Sequence, residues 1–331
     1  MPETILTIEG LKTYFYTEVG VVRAVDGVSF DVKKAESLGL VGESGSGKTV
    51  TALSVLRIVP RPGKTMEGKI EFNGSDLLEK TDEEMRKIRG REIAIIFQDP
   101  SSSLNPVYTV ESQLRDVITA HQNLSGEEAK GKVIELLKLV GIPDAETRMS
   151  EYPHQFSGGM KQRVAIARAL ALQPTLLFAD EPTTNLDVTV QAQVLELLND
   201  LKKKLGMSLV MITHDMGIIA NITTRVVVLY AGHVCEIART PDLFETPRHP
   251  YTAALLAAVP RLDMKKTLEI IPGNIPNLIE PPSGCVFHPR CKYAKEICEK
   301  MVPVLEEVGP EHFVACHWWR DIILKEKKVS A

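Results

Sequence analysis

Residues 37–49 read Ser-Leu-Gly-Leu-Val-Gly-Glu-Ser-Gly-Ser-Gly-Lys-Thr, an apolar run that passes straight into a glycine-rich loop closed by lysine and threonine. Glycines at this spacing let the backbone approach phosphate groups with its N–H groups turned inward; Lys48 can reach terminal phosphates and the Thr49 hydroxyl can ligate Mg²⁺. Strand, loop and helix in that order are the context in which such a spacing reads as a phosphate loop. Gly42, Glu43, Ser44, Gly45, Ser46, Gly47, Lys48 and Thr49 are therefore candidate nucleotide contacts.

Upstream of the loop the chain is β-rich, with apolar runs at Ile5 to Ile8 and Val21 to Val32 broken by Gly10, Gly20 and Gly27. Downstream, Lys69 to Phe72 and Glu92 to Phe97 predict strands, with Asn73-Gly74 as a turn. From about residue 101 to 160 the pattern is that of a helical insert: Val133, Leu136, Leu137 and Val140 recur at helical spacing, and Gly141 and Pro143 stop the run. Leu176 to Asp180 is a short buried strand. Val190, Val194, Leu197, Leu198, Leu201 and Leu205 line one face of a helix ended by Gly206, and Ser208 to Thr213 is a further strand. Strands alternating with helices predict a mostly parallel sheet covered on both faces.

Asp180 and Glu181 end a buried strand, which is where an open α/β sheet presents ligand groups. Asp180 is placed to hold the Mg²⁺ shell and Glu181 to polarise an attacking water. Ser157-Gly158-Gly159, opening a helix, offers a second set of backbone N–H groups and a positive helix end for a polyphosphate. Gln98, after a strand, can reach the metal's water, and His214, after another, can contact a γ-phosphate; taken singly they read as a surface glutamine and a neighbour of a helix cap at Asp215.

The order phosphate loop, Gln98, Ser157-Gly158-Gly159, Asp180-Glu181, Leu186-Asp187, His214 resembles that of the ATP-binding-cassette (ABC) ATPases. The resemblance covers residues 1 to about 258. It implies that Gly42 to Thr49 is the Walker A loop, Gln98 the Q-loop residue, Phe156 to Met160 the signature, Asp180 and Glu181 the Walker B acid and catalytic base, Leu186-Asp187 the D-loop and His214 the switch histidine. It also implies an aromatic that stacks on adenine; Tyr14, Phe15 and Tyr16 compete, and spacing favours Phe15. Met160 stands where many members have glutamine, Asn185 where a small residue is usual, and Ala35 where glycine is common. The family architecture implies that each ATP is enclosed by one subunit's Walker A loop and another's signature, so the chain is expected to act as half of a homo- or heterodimer.

At 331 residues there is room for this core and an extension. The 39 basic and 43 acidic residues nearly cancel, which argues against a nucleic-acid partner. The N-terminal segment has no basic region followed by an apolar stretch, so a cytoplasmic chain is expected. The longest apolar runs, such as Val226 to Ala231, fall far short of the ~20 residues that span a bilayer, so membrane attachment has to come through a partner.

Near Pro247 the composition changes. Arg248 to Leu256, Ile271-Pro272-Gly273 and Pro281 to Cys291 are similar to the C-terminal extension of oligopeptide/dipeptide-type importer ATPases, a group with nickel and oligosaccharide members as well. Cys285, Cys291, Cys298 and Cys316 cluster here, with five, six and seventeen residues between them, and Cys235 lies apart in a strand. Disulfides are disfavoured in the cytoplasm, and the tight Cys pairs usual for structural zinc are absent. Four thiolates suit a [4Fe–4S] cluster; zinc and four plain reduced thiols are the alternatives, and His288, His312 and His317 are nearby substitutes.

The expected architecture is thus an ABC-type P-loop α/β fold with a β-rich N-terminal subdomain, a RecA-like core, a helical insert and a small cysteine-bearing extension, divided as 1–258 and 259–331. The expected function is that of the ATPase of a peptide importer, bound to two permease subunits on the cytoplasmic face of a membrane and fed by an extracellular solute-binding protein. Importers of nickel or oligosaccharide and a soluble, non-transport ABC ATPase are the alternatives.

Overall fold

A computed structural model describes residues 3–259 and 271–322. They group into two compact units, one made of Met1–Glu79 with Met211–Ala331 and the other of Lys80–Val210. The expected division between 258 and 259 falls beside residues 260–270, which lie outside the described residues.

The first unit begins with β1 (Thr4–Thr17), β2 (Gly20–Lys33), β3 (Ser37–Val41), α1 (Lys48–Val55), β4 (Gly63–Phe72) and β5 (Ser75–Asp76). One antiparallel sheet has the order β2-β1-β4-β5. β1 runs on past the apolar run Ile5 to Ile8, because Gly10, at φ 57°, takes up a register shift between Ile8 and Leu11. The buried positions change parity across that bulge, from Leu6 and Ile8 to Leu11 and Thr13. A period-two reading sees a break where the strand has only changed phase.

The second unit comprises α2 (Asp82–Ile88), β6 (Ile93–Ile96), α3 (Pro100–Ser103), α4 (Val110–Thr119), α5 (Gly126–Leu139), α6 (Ala145–Arg148), α7 (Gly158–Leu170), β7 (Leu176–Asp180) and α8 (Val188–Leu205). β6 and β7 pair in parallel, from Ile93 opposite Leu176 to Ile96 opposite Ala179. Capping boxes start α2 (Thr81 with Glu84) and α5 (Ser125 with Glu128). α5 buries Val133, Leu136 and Leu137 and is followed by Gly141 at φ 73°, as the spacing predicts.

β8 (Ser208–Thr213) carries the chain back to the first unit, the division falling after Val210. There follow α9 (Met216–Ile222), β9 (Arg225–Tyr230), β10 (His233–Arg239), α10 (Thr240–Glu245), α11 (Pro250–Ala257), α12 (Glu296–Lys300), β11 (Glu306–Gly309) and β12 (His312–Val314). In this unit the order is β11-β12-β10-β9-β3, with β3 and β9 parallel and the other pairs antiparallel. The extension therefore adds strands to the sheet that carries the glycine loop: β12 pairs with Glu236 and Ile237 of β10.

Ala35 occupies the turn between β2 and β3 at φ 56°, a left-handed conformation that costs an L-residue about 1–2 kcal/mol and glycine nothing. This explains the glycine common at that place. Ala35→Gly is expected to stabilise the chain by about 0.5–1 kcal/mol after glycine's larger unfolded-state entropy is subtracted. Thermal unfolding should show the rise in Tm; an unchanged or lower Tm would contradict it.

Candidate functional site

In the first unit, β3 is buried throughout and passes into a loop with left-handed glycines, Gly42 at φ 153°, Gly45 at φ 78° and Gly47 at φ 100°. A Cβ at Gly42 would lie 2.1 Å from the Leu229 carbonyl oxygen, and one at Gly47 2.5 Å from that of Ala24. Backbone atoms cannot yield to such contacts, so both positions require glycine. Lys48 is buried: its ammonium group donates to the carbonyls of Gly42 (2.7 Å) and Glu43 (2.9 Å) and to Ser46 Oγ (3.4 Å). Thr49, at the start of α1, is exposed. His214 directly follows β8 and is also exposed, while the next residue, Asp215, caps α9 by accepting from the N–H groups of Gly217 (2.7 Å) and Ile218 (3.4 Å).

Among the aromatics of β1, the Tyr14 hydroxyl donates to Asp26 Oδ1 at 2.7 Å, and burial with that bond pushes its pKa up to about 12. Phe15 is half-buried, with its ring edge 2.7 Å from where a Cβ on Gly63 would stand. Tyr16 is exposed, its hydroxyl 3.3 Å from the Met66 sulfur.

The same unit holds contacts that sequence reasoning missed. Arg290 pairs end-on with Glu43 of the glycine loop, Nη1 to Oε2 at 2.7 Å and Nη2 to Oε1 at 3.2 Å. Its Nε donates to the Pro272 carbonyl (2.9 Å), and Nη1 also reaches Tyr230 Oη (3.3 Å). Burial opposes the charge, but the hydrogen bonds that Arg290 donates to Glu43 and Tyr230 prevail and hold the guanidinium pKa above its ordinary value. Beside it the Glu43 N–H donates to Tyr251 Oη at 2.9 Å, and the Tyr251 ring packs at a tilt against Tyr230 and Phe287 at ring separations of 4.6 and 5.3 Å. Tyr251 is set in place by His249, which caps α11 through Nδ1. Partners 247 and 208 positions apart leave no local pattern. The one available signal was an arginine among proline, phenylalanine and cysteine, which burial obliges to find an acid.

In the second unit β7 is buried along its length and ends at Asp180, which is 3% exposed. Glu181 follows at φ 44°, a strained conformation for glutamate and one of the kind that gathers at working sites. Its Oε2 accepts from Gln98 Nε2 and from Thr184 Oγ1, each at 3.0 Å. The structure thus brings together two residues predicted from separate strand ends.

Ser157 caps α7 by accepting from Met160 N, and Asp187 caps α8 by accepting from Val190 N (3.0 Å). These two helix starts are neighbours: a Cβ on Gly159 would meet Val190 Cγ1 at 2.6 Å, whereas one on Gly158 would meet Leu186 at an ordinary 3.5 Å. Gly159 is thus needed for close packing, and exposed Gly158 is not. Asn185, between these segments and Glu181, sits at φ 65°, a conformation asparagine tolerates.

In the extension Cys285, Cys291, Cys298 and Cys316 all line one small cavity, and Cys235 does not. Burial pushes the thiol of Cys285 up to about 11 and that of Cys316 up to about 12, and raises Cys291 as well. His288 Nδ1 donates to the Cys285 carbonyl (2.9 Å), His317 Nε2 to the Met301 carbonyl (2.9 Å), and His312 Nε2 contacts the Glu236 carboxylate (2.7 Å). Among the described residues no group of three or more His, Cys, Asp or Glu side chains is placed to hold a metal ion, so the arrangement supports neither the expected cluster nor the zinc alternative.

Comparison with known proteins finds matches to two parts of the chain. Residues 25–184 match the ABC transporter family, and residues 235–298 match the oligopeptide/dipeptide transporter C-terminal region. The chain is 50% identical over 321 residues to the Sinorhizobium fredii protein named probable peptide ABC transporter ATP-binding protein y4tR, covering 96% of this chain and 95% of that one. It is 47% identical to the oligopeptide transport ATP-binding protein OppD of Bacillus subtilis, covering 94% and 87%. Among solved structures it is similar to the dimeric post-hydrolysis state of the ATP-binding cassette MJ0796 bound to ADP and Pi, with a TM-score of 0.64 and 28% identity over 71% of this chain and 99% of that one.

Proposed function

The chain belongs to the ATP-binding proteins of ABC transporters, in the branch that carries the oligopeptide/dipeptide C-terminal region, and from that membership we propose that it is the ATP-hydrolysing subunit of an importer for di- or oligopeptides. The observation that carries the hydrolytic part is the Glu181 carboxylate, just beyond the buried β7 and oriented by Gln98 and Thr184. Glu181 takes the proton of the attacking water, Gln98 aligns it, and His214 contacts the γ-phosphate. The Gly42–Thr49 backbone and Lys48 bind the phosphates, and Phe15 stacks on adenine. Asp180, buried at its strand end, and the exposed Thr49 hydroxyl are oxygen donors that suit Mg²⁺, which when bound neutralises phosphate charge. Positioning and charge neutralisation supply most of the rate.

Ser157, Gly158 and Gly159 serve the nucleotide of a second ABC ATPase subunit, with Asp187 beside them. The dimer docks on two permease subunits at the cytoplasmic face, and a solute-binding protein outside the cell delivers the peptide. Among the described residues no helix is long and apolar enough to cross a membrane. Reconstitution with the permease pair in liposomes tests the reading: peptide-loaded binding protein should stimulate ATP hydrolysis and drive peptide uptake. Hydrolysis indifferent to every peptide tried, with no uptake, would overturn the peptide assignment.

From the four cysteines that line one cavity, Cys285, Cys291, Cys298 and Cys316, we further propose a [4Fe–4S] cluster held by their thiolates, although among the described residues no group of three or more potential ligands is placed to hold a metal ion. Bound there, the cluster supplies a covalent cross-link that contributes folding free energy to a segment poor in core. Anaerobically purified protein is expected to be brown, to absorb broadly near ~400 nm and to hold about four irons per chain. Replacing any one of the four by serine should bleach it, and Cys235→Ser should not. Colourless protein with one zinc, or with no metal, would replace the cluster by the zinc or reduced-thiol alternative.

A further inference from the structure

We propose that Arg290, contributed by the extension, is a positioning residue of the nucleotide site: by neutralising and holding the Glu43 carboxylate it keeps the Gly42–Thr49 loop receptive to a polyphosphate. The inference rests on the assignment of that loop to ATP.

A loop built to bind phosphate presents N–H groups and one ammonium, yet its second residue is an acid. An unpaired carboxylate there would repel the ligand the loop exists to bind, and the low local dielectric would strengthen the repulsion. Arg290 answers it with two parallel bonds, the strong geometry for guanidinium and carboxylate. The arginine is itself fixed: its side chain is 5% exposed, Nε is bound to the Pro272 carbonyl, and the guanidinium lies 5.7 Å over the Tyr230 ring. Tyr251 adds a second brace on the same residue through the Glu43 N–H. The extension thus grips the loop at one residue by charge and by backbone.

Nucleotide binding to the purified full-length chain, measured with Mg·ATP, Mg·ADP and AMP, tests this. Arg290→Met keeps the length and removes the charge; ATP binding is expected to weaken by about 10-fold or more. The loss should grow from AMP to ADP to ATP, because repulsion scales with ligand charge, a gradient that general loosening of the fold does not produce. Adding Glu43→Gln to Arg290→Met should recover most of the lost affinity, and Arg290→Lys should bind between wild type and Arg290→Met. Folded Arg290→Met that binds ATP within twofold of wild type, or a double variant no better than the single, overturns the proposal. Should Arg290→Met not fold, Arg290→Lys with and without Glu43→Gln decides the matter, since lysine keeps the charge but not the paired bonds. A threefold or greater loss relieved by Glu43→Gln supports the proposal, and no loss or no relief overturns it. Wild-type protein that does not bind ATP, or whose binding is indifferent to Lys48→Ala, would instead sink the assignment of the loop.

Discussion

Glu181→Gln is expected to lower ATP turnover of the assembled transporter by ~10²–10⁴-fold, about 3–5 kcal/mol of barrier. The glutamine side chain keeps an oxygen that can accept from Gln98 and Thr184, which now bind Glu181 at 3.0 Å each, so the local structure has no reason to change. What disappears is the capacity to take a proton from water. ATP binding should survive and the closed dimer should accumulate in its presence. Single-turnover hydrolysis together with a nucleotide-binding measurement separates the two effects. Turnover within a few-fold of wild type would take Glu181 out of the mechanism, and loss of binding would give it a role in holding nucleotide instead.

Gly158→Asp should abolish hydrolysis while leaving each chain able to bind ATP through its own glycine loop. The position has room, since an added Cβ meets only Leu186 at 3.5 Å, and the residue is exposed, so the monomer should fold normally. The defect arises when a carboxylate faces the γ-phosphate of a partner's nucleotide at the start of α7, where backbone N–H groups should meet it. Mixed dimers containing one Gly158→Asp subunit and one wild-type subunit should lose the site facing the altered helix. Normal turnover by an all-Gly158→Asp transporter would show that the signature does not close over ATP.

The parts of this site that could be read in sequence are those whose chemistry is local. The glycine loop, the acid pair after β7 and the serine that caps α7 each announce themselves within a few residues, because the backbone geometry they need restricts the residue types nearby. The stop at Gly206, at φ 64°, belongs to the same class. The continuation of β1 past Gly10 is hidden because the bulge reverses which alternate residues are buried, and alternation is all that a strand shows in sequence. Arg290 escaped for a different reason: its role is defined by an acid 247 positions away, and nothing beside it names that partner. The four cysteines were visible as a group, but only folding shows that they share one cavity and that Cys235 is outside it.

The pairing of β12 with β10 also bears on solubility. Without it β10, whose residues Val234 to Ala238 are all buried, would present an open row of N–H and C=O groups to any other extended chain. With it, the outermost strand of that sheet is β11, only four residues long and headed by Glu306 and Glu307, both exposed. A short, acidic rim repels another copy of itself, so the extension works as a gatekeeper against edge-to-edge aggregation. Chains cut back to the ATPase core would trade that guarded rim for an adhesive one.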